Sequence, residues 1–226
     1  MEGPVILLSS YKFVGSSSKE EQFNNFYSNV QLPQVAQKPG VLGAYRYVAV
    51  EGQPHEYLMI LAFENEQART EALSRASDGI SDEVHEEWQR WRSGYLVDYG
   101  YNTFREIYTS TGAYHRVEGP IVLMNRFRFV GSGKEAVEFN QWYNNNHAPL
   151  VARLPECRGA YRYFATEGQP REYLTFYVFN ALEDRAAMGQ HKSQEALDEH
   201  EQWHRWRSQY LSGFTFSTYR EIQHFG

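Results

Sequence analysis

The chain has 226 residues, with 22 Lys and Arg against 28 Asp and Glu and a net charge of −6. That balance excludes a general electrostatic binder of nucleic acid, which needs a basic surface to displace counterions, and offers no attraction to anionic membranes. The apolar run at residues 5–8 is far shorter than the about 20 residues a bilayer span takes, no secretory leader precedes it, and Cys157 is the only cysteine, so a cytoplasmic protein without an intrachain disulfide is expected.

Taken in chain order, residues 5–13 read as a strand by their β-branched and aromatic content. Residues 19–37 read as a helix, with Phe23, Phe26, Tyr27 and Val30 at helical spacing. Residues 43–50 and 56–63 are strands joined by "EGQPH", a turn built on Gly and Pro. Residues 66–73 and 82–95 are helical, and 99–107 form a last strand. The order β-α-β-β-α-β is that of a ferredoxin-like unit.

The same order then repeats. "EGPVILLSSYKFVGS" from Glu2 matches "EGPIVLMNRFRFVGS" from Glu118, and "GAYRYVAVEGQPHEYL" from Gly43 matches "GAYRYFATEGQPREYL" from Gly159. "HEEWQRWRSGYL" from His85 matches "HEQWHRWRSQYL" from His200. The offset is 116 early and 115 late, so one residue is lost in the intervening helical region. Residues 1–107 are therefore the first repeat, 108–117 a linker and 118–226 the second repeat. A four-stranded sheet with helices on one face must have its other face covered. The expected class is α+β, two ferredoxin-like repeats packed sheet to sheet as an intramolecular α/β-barrel.

The copies differ where chemistry would be read. His147 stands opposite Gln31, a side chain of similar size that hydrogen-bonds but does not exchange protons near neutrality. Phe139, Tyr143 and His147 share one side of a helix, with Trp142, Asn146 and Leu150 close to it. Pro149 has no N–H to donate and disfavours helix at Ala148, so the helix should pause beside His147 and make room for a ligand. Asn125, Arg126, Arg158 and Tyr177 replace Ser9, Ser10, Leu42 and Leu61, so the second repeat has gained polar groups. This predicts one active pocket in repeat 2, with His147 as general acid or base, and a degenerate one in repeat 1. The plain alternatives are a hydrogen-bonded core histidine and simple drift.

Arg126 and Arg128 share a strand face and are read as carboxylate or phenolate holders or as a solvated face. Trp142, Tyr143, Asn146, Tyr161, Tyr177 and His204 complete the expected substrate contacts, the tyrosines as phenol donors or as packing. The aromatic share of 16%, with 17 Tyr, 14 Phe and 5 Trp, fits either an aromatic core or a ring-lined pocket. His200-Glu-Gln-Trp-His204 fits the H-E-x-x-H zinc pattern, but the first copy reads His85-Glu-Glu-Trp-Gln89, so the segment is structural and no metal is expected. Cys157 has no histidine near it in sequence and reads as an inert thiol. Phosphate-loop and dinucleotide fingerprints are missing, which favours a site without an organic cofactor.

"F-x-x-W-Y-x-x-x-H-A-P-L" over residues 139–150, followed by "L-P-x-x-x-G-x-Y-R-Y" from Leu154, resembles the EthD-type branch of the dimeric α/β-barrel superfamily. The resemblance covers both repeats, but Phe26 and Gln31 depart from the motif in the first. It implies a barrel with a small-molecule pocket between sheet and helices in each unit. The superfamily includes cyclases, dehydratases, decarboxylases, isomerases, cofactor-free monooxygenases and haem enzymes, so the resemblance bears more on fold than on reaction. The expected function is a lyase-type enzyme, of cyclase, dehydratase or decarboxylase kind, or an isomerase, acting on a hydrophobic or aromatic small molecule. The alternatives are a haem-binding or oxygen-using relative and a non-catalytic carrier. Association of the fused pair into a homodimer is left open.

Overall fold

The strands follow from alternation. In β1 (Val5–Phe13), Val5, Leu7, Tyr11 and Phe13 point to one face and are buried in a single core with the helices. The computed structural model describes residues 3–74, 81–111, 119–168, 170–191 and 193–226. Among them, no helix is long and apolar enough to cross a membrane.

The chain divides into two units, one of residues 1–105 with 221–226 and one of residues 106–220. In the first, β1 is followed by α1 (Ser17–Phe26), a π turn (Tyr27–Gln31), α2 (Leu32–Ala36), β2 (Val41–Ala49), β3 (Glu56–Phe63), α3 (Glu66–Ser74), α4 (Asp82–Tyr95) and β4 (Leu96–Thr111). The strands pair antiparallel in the order β4-β1-β3-β2, with Val5 opposite both Phe63 and Arg105. The second unit contains β5 (Ile121–Phe129), α5 (Gly133–Trp142), a π turn (Tyr143–His147), α6 (Ala148–Ala152), β6 (Cys157–Ala165), β7 (Glu172–Phe179), α7 (Leu182–Ala187), α8 (Gln194–Tyr210) and β8 (Leu211–Phe225). Its order, β8-β5-β7-β6, is the same. Each unit is thus the β-α-β-β-α-β element that the periodicity predicts.

Local chemistry sets the helix starts. Ser16, Ser81, Ser132 and Ser193 each accept a backbone N–H from the first turn, and Ser132 with Glu135 forms a reciprocal capping box. Such a cap contributes about 1 kcal/mol. The core of the second unit is a cluster of rings. Phe139 is fully buried and lies 5.2–5.8 Å from the rings of Phe129, Trp206, Tyr143 and Phe127.

The ends of the last strands differ from the sequence reading. The expected strand 99–107 is longer at both ends, and its four residues 108–111 enter the segment read as linker; residues 112–117 lie outside the described residues. Residues 106–111 group with the second unit, beside β6, and 221–226 with the first, beside β2. A strand continues as long as its backbone N–H and C=O groups find partners, whatever the repeat boundary.

Candidate functional site

The site in the second unit begins with a defect in a helix. At Tyr143–His147 the α5 ladder widens to a π turn, and the Ala148 N–H reaches back to the Tyr143 carbonyl. Pro149 cannot donate, and its ring crowds the carbonyl four residues earlier, so the extra residue is accommodated just before it. The first unit does the same ahead of Pro33, where the Leu32 N–H bonds the Tyr27 carbonyl. The widened turn therefore belongs to the proline and occurs with or without the histidine.

The π turn brings the His147 ring edge-on to Tyr143, with ring centroids 4.5 Å apart and planes at 66°. His147 is only 8% exposed. Its ring lies against the Trp203 indole at 5.1 Å and 16°. Nδ1 is hydrogen-bonded to Glu199 of α8, itself largely buried, and Nε2 has no partner among the described residues. His147 lines a cavity of about 180 Å³ with Leu123, Asn125, Val151, Tyr177 and Phe214. Arg207 closes one side, its guanidinium 4.6 Å from the Phe214 ring.

Glu199 also faces outward, into a cleft of about 580 Å³ with Trp142, Asn146, Leu150 and Arg153. The His147–Glu199 pair therefore joins an aromatic inner cavity to a polar outer one. Inside, the Tyr143 and Tyr177 hydroxyls are 3.3 Å apart. With Tyr143 as donor, the Tyr177 O–H is free to donate toward the cavity. Burial raises the Tyr177 pKa well above the ordinary phenol value, so it stays a donor at neutral pH.

Behind these rings lies Arg162, fully buried. Its guanidinium carbon is 4.0 Å from the Tyr143 ring centroid, and Nη1 donates to Asn144 Oδ1 at 2.7 Å. Among the described residues, Nε and Nη2 have no hydrogen-bond partner. Burial pushes its pKa down to about 10, which still leaves it charged at neutrality. The cation therefore sits beneath the phenol pair and favours negative charge nearby.

The sequence-predicted residues separate into three groups. His147 and Tyr177 line the inner cavity, with Tyr143 directly beneath. Trp142 and Asn146 line the outer cleft. Arg126, Tyr161 and His204 are not brought to the inner cavity. Leu123, Asn125 and Phe127 of β5 face the helices, so Arg126 lies on the opposite face, where it is held bidentately by Glu172 at 2.7 and 3.0 Å. In β6 a bulge between Cys157 and Gly159 shifts the alternation by one, which turns Ala160 and Arg162 to the helices and Tyr161 away. His204 is exposed on α8, its Nε2 3.0 Å from that of His200.

Two residues of the candidate site, Arg162 and Glu199, are not among those the sequence reading names. Arg162 is hidden by the bulge. Glu199 has a signal in the repeat: its counterpart one residue before His85 is Val84, so histidine and carboxylate are present together in one copy and absent together from the other.

No family model matches the chain, and no curated protein matches it in sequence. Solved structures do. An anthrone oxidase-like protein superposes with a TM-score of 0.71 at 11% identity, covering 99% of this chain and 94% of the other. A candidate monooxygenase from Fusobacterium nucleatum subsp. nucleatum gives 0.69 at 9% identity, covering 99% and 95%. A chlorite dismutase variant from Candidatus Nitrospira defluvii gives 0.54 at 11% identity, covering 97% and 92%. At such identities the likeness shows the fold alone.

Proposed function

We propose that the second unit is the working half of an enzyme that moves a proton on a small aromatic molecule carrying a carbonyl or phenol oxygen. The observation that supports this most directly is the His147–Glu199 pair, with the imidazole forming a wall of the ring-lined cavity. Glu199 fixes the ring by its Nδ1–H and offsets the charge of the imidazolium, leaving Nε2 to take a proton from a C–H next to a carbonyl. The Tyr177 O–H donates to the oxygen on which charge develops, and the Arg162 cation stabilises that charge from behind the phenol pair.

Two onward courses are open to the resulting enolate. Elimination or cyclisation, the lyase-type course, needs no further reactant, and the EthD-type motif at residues 139–150 favours it. Reaction with dioxygen is favoured by what the neighbours are described as, an anthrone oxidase-like protein and monooxygenases. A haem course fits poorly. The cavity beside His147, about 180 Å³, is below the roughly 300–1,000 Å³ of sites for drug-sized ligands, and a porphyrin is larger than those. We read the two units as fused copies of one ancestral unit.

The experiment is proton exchange. In D₂O, 2-tetralone should lose its C1 protons faster with the protein than without it, followed by NMR. An oxygen electrode with anthrone then separates the courses, since uptake of one O₂ per anthrone with formation of anthraquinone and water marks the oxidative one. No acceleration of exchange on 2-tetralone or a comparable aromatic ketone would remove the general-base reading.

A further inference from the structure

The H-E-x-x-H segment, which the candidate site leaves unused, lies on α8. His200 and His204 are four residues apart, so they stand one above the other on one face of the helix. Both are exposed, and their Nε2 atoms are 3.0 Å apart with the ring planes at 88°. Two imidazole nitrogens at that separation, each about 2.0–2.1 Å from a shared metal, subtend an angle of about 90–100° at the ion. That is the cis angle of a square-planar or tetragonal ion and is narrower than the tetrahedral angle of zinc. Arg207, one turn further on, is drawn over the Phe214 ring at 4.6 Å. His55, His147, His191 and His224 each sit against a glutamate instead of a second histidine. Among the described residues no third His, Cys, Asp or Glu joins the pair, which leaves the other positions of a bound ion to water.

We infer that His200 and His204 form a surface chelate for copper(II). Imidazole suits this ion, the Irving–Williams order places it above the other divalent first-row metals, and two nitrogens near a right angle fit its equatorial plane. Carrying both ligands on one helical turn makes the second bond intramolecular, so the pair binds more tightly than either ring alone. The first unit supplies the contrast. Its matching residues are His85 and Gln89, 3.4 Å apart, and an amide carbonyl suits hard cations, so one useful ring remains there and no chelate. Repetition of the segment fits a structural role for the helix, but the second histidine is present in one copy only. A catalytic zinc site has three protein ligands, and this pair has two.

Both ligands lie outside the cavity beside His147, so the site does not depend on the chemistry proposed there. Pulsed electron paramagnetic resonance of the full chain with one equivalent of Cu²⁺ near neutral pH should count two imidazole rings on one ion. In titrations against glycine as competing chelator, His204→Gln, which copies the first unit, should weaken the tightest Cu²⁺ site about tenfold or more, and His200→Gln should do the same. His191→Gln should leave that affinity unchanged. Gln89→His should add a second site of similar strength. A tightest site holding a single imidazole, an affinity unmoved by His204→Gln, or one lost in His191→Gln would overturn the inference.

Discussion

The two units are built alike and differ in one functional respect. Each has a π turn before a proline, a tryptophan at the cavity wall (Trp88, Trp203) and a fully buried arginine over tyrosine rings (Arg46, Arg162). In the first, the wall residue is Gln31, and Val84 occupies the place of the carboxylate. In the second, His147 and Glu199 are hydrogen-bonded, and Tyr177 replaces Leu61. The comparison teaches that the shared scaffold makes a cavity, whereas the chemistry proposed for the second unit rests on side chains that the first lacks: His147, Glu199 and Tyr177. Proton transfer needs a group that changes charge near neutrality and a partner that holds it in one orientation.

The largest expected effect comes from erasing the difference. His147→Gln, which copies the first unit, should slow 2-tetralone exchange by about 100-fold or more, with unfolding free energy changed by less than about 2 kcal/mol in urea titrations. The reverse graft sharpens the comparison. In a His147→Gln background, Gln31→His alone should give the first unit weak exchange activity, because no carboxylate stands at Val84, and adding Val84→Glu should raise it about tenfold. Glu199→Gln should cost about tenfold in exchange, since the ring loses its oriented acceptor but not its base.

The shared scaffold has its own test. Phe23→Ala and Phe139→Ala remove equivalent, fully buried rings, so each should cost about 3–5 kcal/mol in urea unfolding. A large inequality would mean that the units do not contribute equally to the core. Smaller effects are expected away from the cavity. Arg126→Ala should leave exchange unchanged and cost about 1–3 kcal/mol, because it strands the buried Glu172 carboxylate. Cys157 is the mildest case: burial pushes its thiol up to about 11, so alkylation by iodoacetamide should be very slow at pH 7 and accelerate only as the pH approaches that value.

Much of this was legible in the chain. The β-branched and aromatic runs, the helical spacing of apolar residues and the Gly and Pro turns give the element order, because each depends on neighbours within a few residues. Pro149 announced a break beside His147, although not that the break is a π turn. Strand-face assignments were less secure. Arg126, expected among the substrate contacts, lies on the face opposite Leu123 and Asn125, and Tyr161, expected as a phenol donor or as packing, is turned from the helices by the bulge between Cys157 and Gly159 that brings Arg162 to them. His204 lies one residue from Trp203, but on a helix that step turns a side chain away from the wall.

The sequence by itself determined the repeated residue pattern, the order of strands and helices, and the contrast of His147 with Gln31. These are properties of periodicity, turn chemistry and internal alignment, which need no folded coordinates. Only the tertiary structure decided which residues His147 meets. Glu199 is 52 positions away on another helix, Tyr177 comes from a strand, and Arg162 reaches the helices through a one-residue shift in register. The open cavity of the first unit was equally invisible, since an unfilled volume is set by how side chains from separate elements pack and is written in no single stretch of chain.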